Sequence, residues 1–316
     1  MLNMVLQTER LTKRYGALVA VQDLTLQVYE GEVFGLLGPN GAGKTTAISM
    51  MCGLLKPDSG QVLIHGQPVN AQAAAMRARV GVCPQNIVLW TTLTCIEQLE
   101  FMGEMYGVAR NLARRRGLAL LDALGLADKR DKLARTLSGG MQRRLNLIMA
   151  LVHEPDLLVL DEPEAGLDPQ SRLLMREYIK SLARTRSRTV ILTTHNMDEA
   201  DRVADRVAIM DHGQLLTLDT PEALRRSVGE GDVLEIAVSA EQDDSIERAV
   251  SAVSSIVPGV SAANHTLVIR ARGVVESLPV ILETLKNAGF RPGEVRLREN
   301  TLEDVFIELT GRRLRE

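Results

Sequence analysis

Three uninterrupted apolar runs stand out along the chain: Val33-Phe34-Gly35-Leu36-Leu37, Leu157 to Leu160, and Val190 to Thr193. Each leads into a stretch of helical spacing, which predicts strands buried on both faces of a parallel sheet, with Arg206 to Met210 as a further member. Between Leu6 and Glu30, short alternating runs such as Leu24, Leu26 and Val28 predict half-buried strands of an antiparallel sheet that ends at the turn Glu30-Gly31. Thr45 to Leu55 has helical spacing. From Glu97 to Ala150 the text becomes rich in Leu, Ala and Arg, with Gly107, Gly117 and Gly125 as punctuation, predicting an inserted helical subdomain over about residues 86–155. After Asp219-Thr220-Pro221 the pattern reads strand 233–239, helix 243–254, strands near 257–262 and 266–271, helix 275–288 and strand 293–298. That β-α-β-β-α-β order predicts a small ferredoxin-like α+β appendage, closed by an amphipathic helix from Thr301 to Thr310. The expected division is therefore an α/β domain over 1–220 and an accessory domain over 221–316.

Composition narrows the classes. A chain of 316 residues exceeds the usual single domain, and 45% hydrophobic with 24% charged residues is ordinary for a folded globular protein. The 37 basic and 40 acidic residues are interspersed and leave a formal net charge of −3, so no broad cationic field is present and nucleic acid is not an expected partner. Cys52, Cys83 and Cys95 form no CxxC pair and no signal-peptide pattern precedes them, which argues against a disulfide framework or zinc site and for a reducing cytoplasm. No run approaches the ~18 apolar residues that a membrane span requires, so membrane contact is expected through a partner.

Gly38-Pro39-Asn40-Gly41-Ala42-Gly43-Lys44-Thr45 matches G-x-x-x-x-G-K-[ST] and lies between the strand and the helix that this phosphate loop requires. The glycines allow successive backbone N–H groups to turn toward phosphate oxygens, at the positive end of the following helix. Lys44 is placed to reach the β- and γ-phosphates of a nucleotide, and Thr45 to give its hydroxyl to Mg²⁺, with Thr46 next in the same loop. The plain alternative is a glycine-rich turn that merely caps a helix. The strand Leu157 to Leu160 ends in Asp161-Glu162, at the carboxyl edge where α/β sheets bind ligands. Asp161 is expected to hold Mg²⁺ through water. Glu162, pointing the other way along the strand, is expected to act as general base on the attacking water. Such a pair alone is more often a solvated loop; Lys44 in the same chain reverses that preference.

Leu137-Ser138-Gly139-Gly140-Met141-Gln142 resembles the signature of ATP-binding cassette (ABC) ATPases. Independently of any family, Ser138 is suited to cap the helix through Met141 to Val152, leaving the Gly139 and Gly140 amides free for a phosphate. The resemblance implies a P-loop NTPase fold and two ATP molecules sandwiched in a homodimer, where Ser138, Gly139 and Gly140 of one copy serve the nucleotide of the other. By the same resemblance Tyr15 in Arg14-Tyr15-Gly16 stacks on adenine, Gln85 in Pro84-Gln85 senses Mg²⁺ and water, and His195 contacts the γ-phosphate and Glu162. Asp168 in Gly166-Leu167-Asp168-Pro169 looks like the loop that crosses to the partner, and also reads as an ordinary N-cap before a first-turn proline. One departure is Glu164, where the family commonly has Thr or Ser; an extra carboxylate there would slow turnover or repel phosphate.

The ending Thr301-Leu302-Glu303-Asp304-Val305-Phe306 looks like the drug and nodulation-factor exporter subgroup. What the resemblance implies is an ATP-hydrolysing subunit on the inner face of the membrane, driving a separate permease, with Leu89 and Trp90 as candidate contacts to that partner. The rival from another class is a soluble ABC-type ATPase that remodels nucleic acid or ribosomes. It is disfavoured by the single cassette and by the absence of sustained heptads between Lys44 and Ser138. An inactive ATP-binding scaffold is disfavoured by the joint presence of Lys44, Asp161, Glu162 and His195.

Overall fold

The computed structural model describes residues 3–69, 78–186, 188–228, 232–240, 246–263, 265–271 and 273–311. Two compact units follow one another in sequence, the first running to Pro221 and the second beginning at Glu222.

The first unit opens with β1 (Met4–Tyr15) and β2 (Leu18–Tyr29), paired antiparallel in a four-stranded sheet of order β2-β1-β4-β5, with β4 at Ser59–Ile64 and β5 at Gln67–Pro68. These strands have 12 residues each, longer than the short runs expected, because register shifts near Leu11 and Lys13 let one strand continue through breaks in the alternation. Buried Thr8 secures the pairing: its hydroxyl donates to the Leu24 carbonyl and accepts from the Leu26 N–H.

A second, six-stranded sheet has the order β10-β9-β3-β8-β7-β6. Its strands are β3 (Val33–Leu37), β6 (Val80–Cys83), β7 (Leu157–Asp161), β8 (Thr189–Thr194), β9 (Arg206–Asp211) and β10 (Gln214–Asp219). The first five are parallel and β10 is an antiparallel edge. All residues of β3 and β7 are buried, as a sheet covered on both faces demands. Leu158 and Leu160 face a core shared with the helices of the inserted segment, whereas Leu157 and Val159 face a core shared with α1 (Lys44–Met51) and the antiparallel sheet. Each fully buried Leu or Val contributes roughly 1.5–3 kcal/mol.

Helix α1 stops four residues before the expected Leu55. Gly53, in the left-handed region at φ 69°, donates to the Met50 carbonyl and Leu54 donates to that of Ser49, a Schellman arrangement that ends the helix. The inserted segment contains α2 (Cys95–Met105), α3 (Arg110–Ala123) and α4 (Gly139–Leu151). Gly107 and Gly125 take positive φ at helix ends, but Gly117 lies inside α3 and is no punctuation: a Cβ there would sit 3.0–3.1 Å from the Leu99 side chain of α2. Helices α5 (Pro169–Arg186) and α6 (Met197–Val203) follow β7 and β8, and α7 (Pro221–Ser227) spans the sequence boundary between the units.

The second unit consists of β11 (Asp232–Ala240), α8 (Ile246–Ser254), β12 (Val260–Ala263), β13 (Thr266–Ala271), α9 (Val274–Asn287), β14 (Phe290–Arg298) and α10 (Leu302–Thr310). The expected start of its first helix, 243–245, lies outside the described residues. Its sheet is antiparallel throughout, of order β12-β13-β11-β14, the ferredoxin-like arrangement. Leu234, Ile236 and Ile269 from the sheet meet Ala249, Val253, Ile281 and Leu285 from the two helices in one core.

Candidate active site

Four neighbouring parallel strands deliver the site from their carboxyl ends. The loop Gly38–Gly43 follows β3, Gln85 follows β6, Glu162 follows β7 and His195 follows β8. The sheet order places β8 and β7 between β3 and β6, so residues distant in sequence arrive at one edge.

The phosphate loop needs its glycines. At Gly38 (φ 153°) a Cβ would lie 2.2 Å from the Met210 carbonyl oxygen, and at Gly43 (φ 99°) 2.3 Å from that of Ala20. Gly43 precedes α1 with no side-chain cap, so the first-turn amides keep their positive face open. Lys44 is 6% exposed, and its Nζ donates to the Gly38 carbonyl at 2.7 Å and to that of Pro39 at 3.0 Å. An ammonium has three donors, so one remains for a phosphate oxygen. Burial draws the Lys44 pKa down while the charges of Glu162 and Asp161 push it up; the net shift is downward.

Glu162 is 8% exposed and has φ 47°, a left-handed conformation that costs a non-glycine residue energy. Its N–H donates to the carbonyl and the hydroxyl of Thr193 at 3.2 and 3.0 Å. Its carboxylate is gripped from two sides: Gln85 Nε2 donates to Oε2 at 3.1 Å, and His195 Nδ1 lies 2.9 Å from Oε1. Asp161 points elsewhere. Its Oδ1 accepts from Thr193 Oγ1 at 2.5 Å, and it is not among the residues that line the cleft.

The cleft itself has a volume of about 470 Å³ and is lined by Asn40, Gly41, Gly43, Lys44, Thr45 and Thr46 on the loop side and by Gln85 and Glu162 opposite. Tyr15, 51% exposed, borders its far end with Leu18, Val19, Ala20 and His212, and Lys13 Nζ lies 5.9 Å from the Tyr15 ring centroid. That size suits a small-molecule ligand.

The structure does not bring every expected residue to this cleft. Ser138 caps α4 by accepting from the Met141 N–H at 3.3 Å, and a Cβ on Gly140 would lie 3.6 Å from Asp168 Oδ2. Asp168 in turn accepts from the Ser171 N–H at 2.9 Å, the N-cap bond of α5, and hydrogen bonds from the Ser171 backbone and side chain lower its pKa. Ser138, Gly139, Gly140 and Asp168 thus form a second group at two helix N-termini. Trp90 is 37% exposed and meets Phe101 edge-on at 4.9 Å, while Leu89 packs against the core.

Glu164 turns away from the phosphate loop and lines a separate cavity with Glu199, Arg172 and His195. Burial, and then hydrogen bonding and repulsion from Glu199, push its pKa up to about 8, so near pH 7 it is largely protonated. It lines that cavity and not the cleft that holds the phosphate loop. Two residues that sequence reasoning missed are Thr193, which orients both acids, and Arg143, whose guanidinium reaches the main chain beside Gln85 and Glu162. A threonine in an apolar strand and an arginine in an arginine-rich helix carry no local signal of such roles.

Comparisons with known proteins agree with this arrangement. The ABC transporter family model matches residues 21–165. The chain is 36% identical to the linearmycin resistance ATP-binding protein of Bacillus subtilis (strain 168), covering 99% of this chain and 100% of the relative. It is 40% identical to the Nod factor export ATP-binding protein I of Burkholderia orbicola (strain AU 1054), covering 96% of each, and 37% identical to the daunorubicin/doxorubicin resistance ATP-binding protein of Streptomyces peucetius, covering 97% and 92%. Among solved structures, an ATP-binding subunit of an ABC transporter superposes with a TM-score of 0.65 at 29% identity, covering 71% of this chain and 92% of that one. A dimeric ATP-binding cassette in a post-hydrolysis state bound to ADP and Pi gives a TM-score of 0.63 at 25% identity, covering 68% and 98%.

Proposed function

The chain belongs to the ATP-binding subunits of ABC transporters, and from that premise we propose that it hydrolyses ATP within a homodimeric sandwich to drive an exporter's separate permease. The observation that carries this reading is Glu162, held by Gln85 on one oxygen and His195 on the other, lining the same cleft as Lys44.

ATP lies along the loop, with its adenine against Tyr15 and its phosphates on the open amides of α1 and on Lys44. Glu162 accepts a proton from the attacking water while Gln85 and His195 hold its two oxygens, so the carboxylate faces the γ-phosphate in one orientation. Thr45, Gln85 and, through water, Asp161 would hold Mg²⁺ by oxygen, the hard donor it prefers. When bound, Mg²⁺ neutralises charge on the β- and γ-phosphates. Ser138, Gly139 and Gly140 supply a helix N-terminus to the nucleotide of the other copy, and Asp168 lies on the loop that reaches it. Export follows from the relatives, whose names refer to drug resistance and Nod factor export. No helix among the described residues is long and apolar enough to cross a membrane; the separate permease, met at the inner face of the membrane, is part of the proposal.

The test is an affinity pull-down of the Glu162→Gln protein with ATP from solubilised native membranes and cytosol, read by mass spectrometry. Stoichiometric recovery of a polytopic membrane protein is expected. Recovery of ribosomes or nucleic acid without a permease would replace the transporter reading by a soluble remodelling ATPase.

A further inference from the structure

Arg143 lies on the signature helix α4 and is 2% exposed. All five of its hydrogen bonds go to main-chain carbonyls of two separate segments. Nη1 donates to Pro84 at 2.9 Å and Gln85 at 2.5 Å, after β6. Nε donates to Pro163 at 3.2 Å, and Nη2 to Asp161 at 2.9 Å and to Glu162, after β7. Burying a guanidinium is costly unless its donors are matched, and here a planar fork is matched entirely by peptide dipoles. Two of the five matched carbonyls belong to Gln85 and Glu162, whose side chains meet at 3.1 Å, and the other three to their chain neighbours. Glu162 holds its left-handed backbone between Thr193, which takes its N–H, and Arg143, which takes its C=O. Lysine gathers its three N–H donors on one atom and glutamine has two, so neither reproduces the five bonds of the guanidinium fork.

We propose that Arg143 is a positioning residue for ATP hydrolysis: it locks the Gln85 and Glu162 peptides to each other and to α4, fixing both side chains against the attacking water. The assignment rests on the proposed role of Glu162. It ties the geometry of hydrolysis to the helix that begins at Ser138-Gly139-Gly140.

The experiment compares steady-state kcat and KM for ATP in the parent, Arg143→Lys, Arg143→Gln, Gln85→Ala and the Arg143→Gln/Gln85→Ala double variant, with melting temperature and Mg²⁺-free ATP affinity measured on the same preparations. Arg143→Gln is expected to stay folded, to bind ATP within twofold of the parent, and to lose at least tenfold in kcat with KM within threefold. Arg143→Lys is expected to recover part of that loss, and the double variant to lose less than the product of the single losses. Three results would overturn the assignment: kcat within twofold in Arg143→Gln, losses in kcat matched by losses in ATP affinity, or multiplicative single losses. Failure of both Arg143→Lys and Arg143→Gln to fold would also overturn it, making Arg143 a keystone of the core instead. A parent that does not hydrolyse ATP removes the reading beneath the assignment; a hydrolysing parent with unaffected variants removes the assignment alone.

Discussion

Lys44 and Glu162 both line the cleft, and in the proposed reaction they act on different steps that substitution separates. Lys44 offers its remaining donor to phosphate, so Lys44→Ala should abolish ATP binding, measured by fluorescent-nucleotide titration. Glu162→Gln keeps the size of the side chain and can still hydrogen-bond Gln85 and His195, so ATP affinity should survive. Glu164 titrates in a different way. Its folded pKa of about 8 lies above the unfolded carboxylate value, because it is buried and hydrogen-bonded to Glu199, which the Arg176 salt bridge holds down. The stability linked to that proton is fully present below the unfolded pKa and is lost as pH rises through the folded one. Melting temperature should therefore fall between pH 5 and pH 9 (about the range those pKa values bracket), and Glu164→Gln should flatten that slope. An unchanged slope in the variant would assign the pH dependence to other groups.

Elements in this chain begin and end for local reasons, and the strongest case closes the second unit. Thr301 caps α10 and Asp304 returns the bond, with Arg270 and Arg298 also donating to the 4%-exposed Asp304 carboxylate. Burial alone would raise the Asp304 pKa, but hydrogen bonds from Arg298, Thr301 and Arg270 prevail and hold it well below the usual carboxylate range. Stability from this carboxylate is present above the unfolded pKa and falls away as pH drops through the folded value. Asp304→Ala takes this carboxylate from Arg270, leaves Arg298 with the Glu235 carboxylate and removes the return bond to the Thr301 N–H, and should destabilise the second unit by about 3 kcal/mol, read by denaturant unfolding. Ser138→Ala at the head of α4 removes only one cap bond and should cost about 1 kcal/mol. These caps could be read ahead of the structure because the cap and its N3 partner are sequence neighbours. The Gly53 stop of α1 was not, since apolar residues continue past it to Leu55. β6 was also missed: Val80-Gly81-Val82-Cys83 is four residues long with a glycine inside. Only the structure shows why glycine is needed there, for a Cβ on Gly81 would lie 2.2 Å from the Ala150 carbonyl oxygen of α4.

At the scale of the molecule, the parallel sheet was legible because residues buried on both faces form unbroken apolar runs, and the phosphate loop because strand, glycines and helix are contiguous. Contacts that depend on strand order carry no local signal: the Glu162–His195 contact was expected only through the family resemblance, and the Gln85–Glu162 contact was not expected. The Gln85–Glu162 contact joins residues 77 apart and the Glu162–His195 contact residues 33 apart, and both arise only because β6, β7 and β8 are neighbours in the sheet. Those two contacts, which hold Glu162 in the cleft that also contains Lys44, support the proposal that this chain is an ATPase with Glu162 as its base. The measurement that tests it most directly is phosphate release from Mg²⁺-ATP by the purified parent and by Glu162→Gln, with ATP binding measured on the same samples. The account predicts that the parent releases phosphate, while the variant binds ATP, accumulates as an ATP-bound dimer and loses release by roughly a hundredfold or more. Parental phosphate release from a Glu162→Gln protein would contradict it.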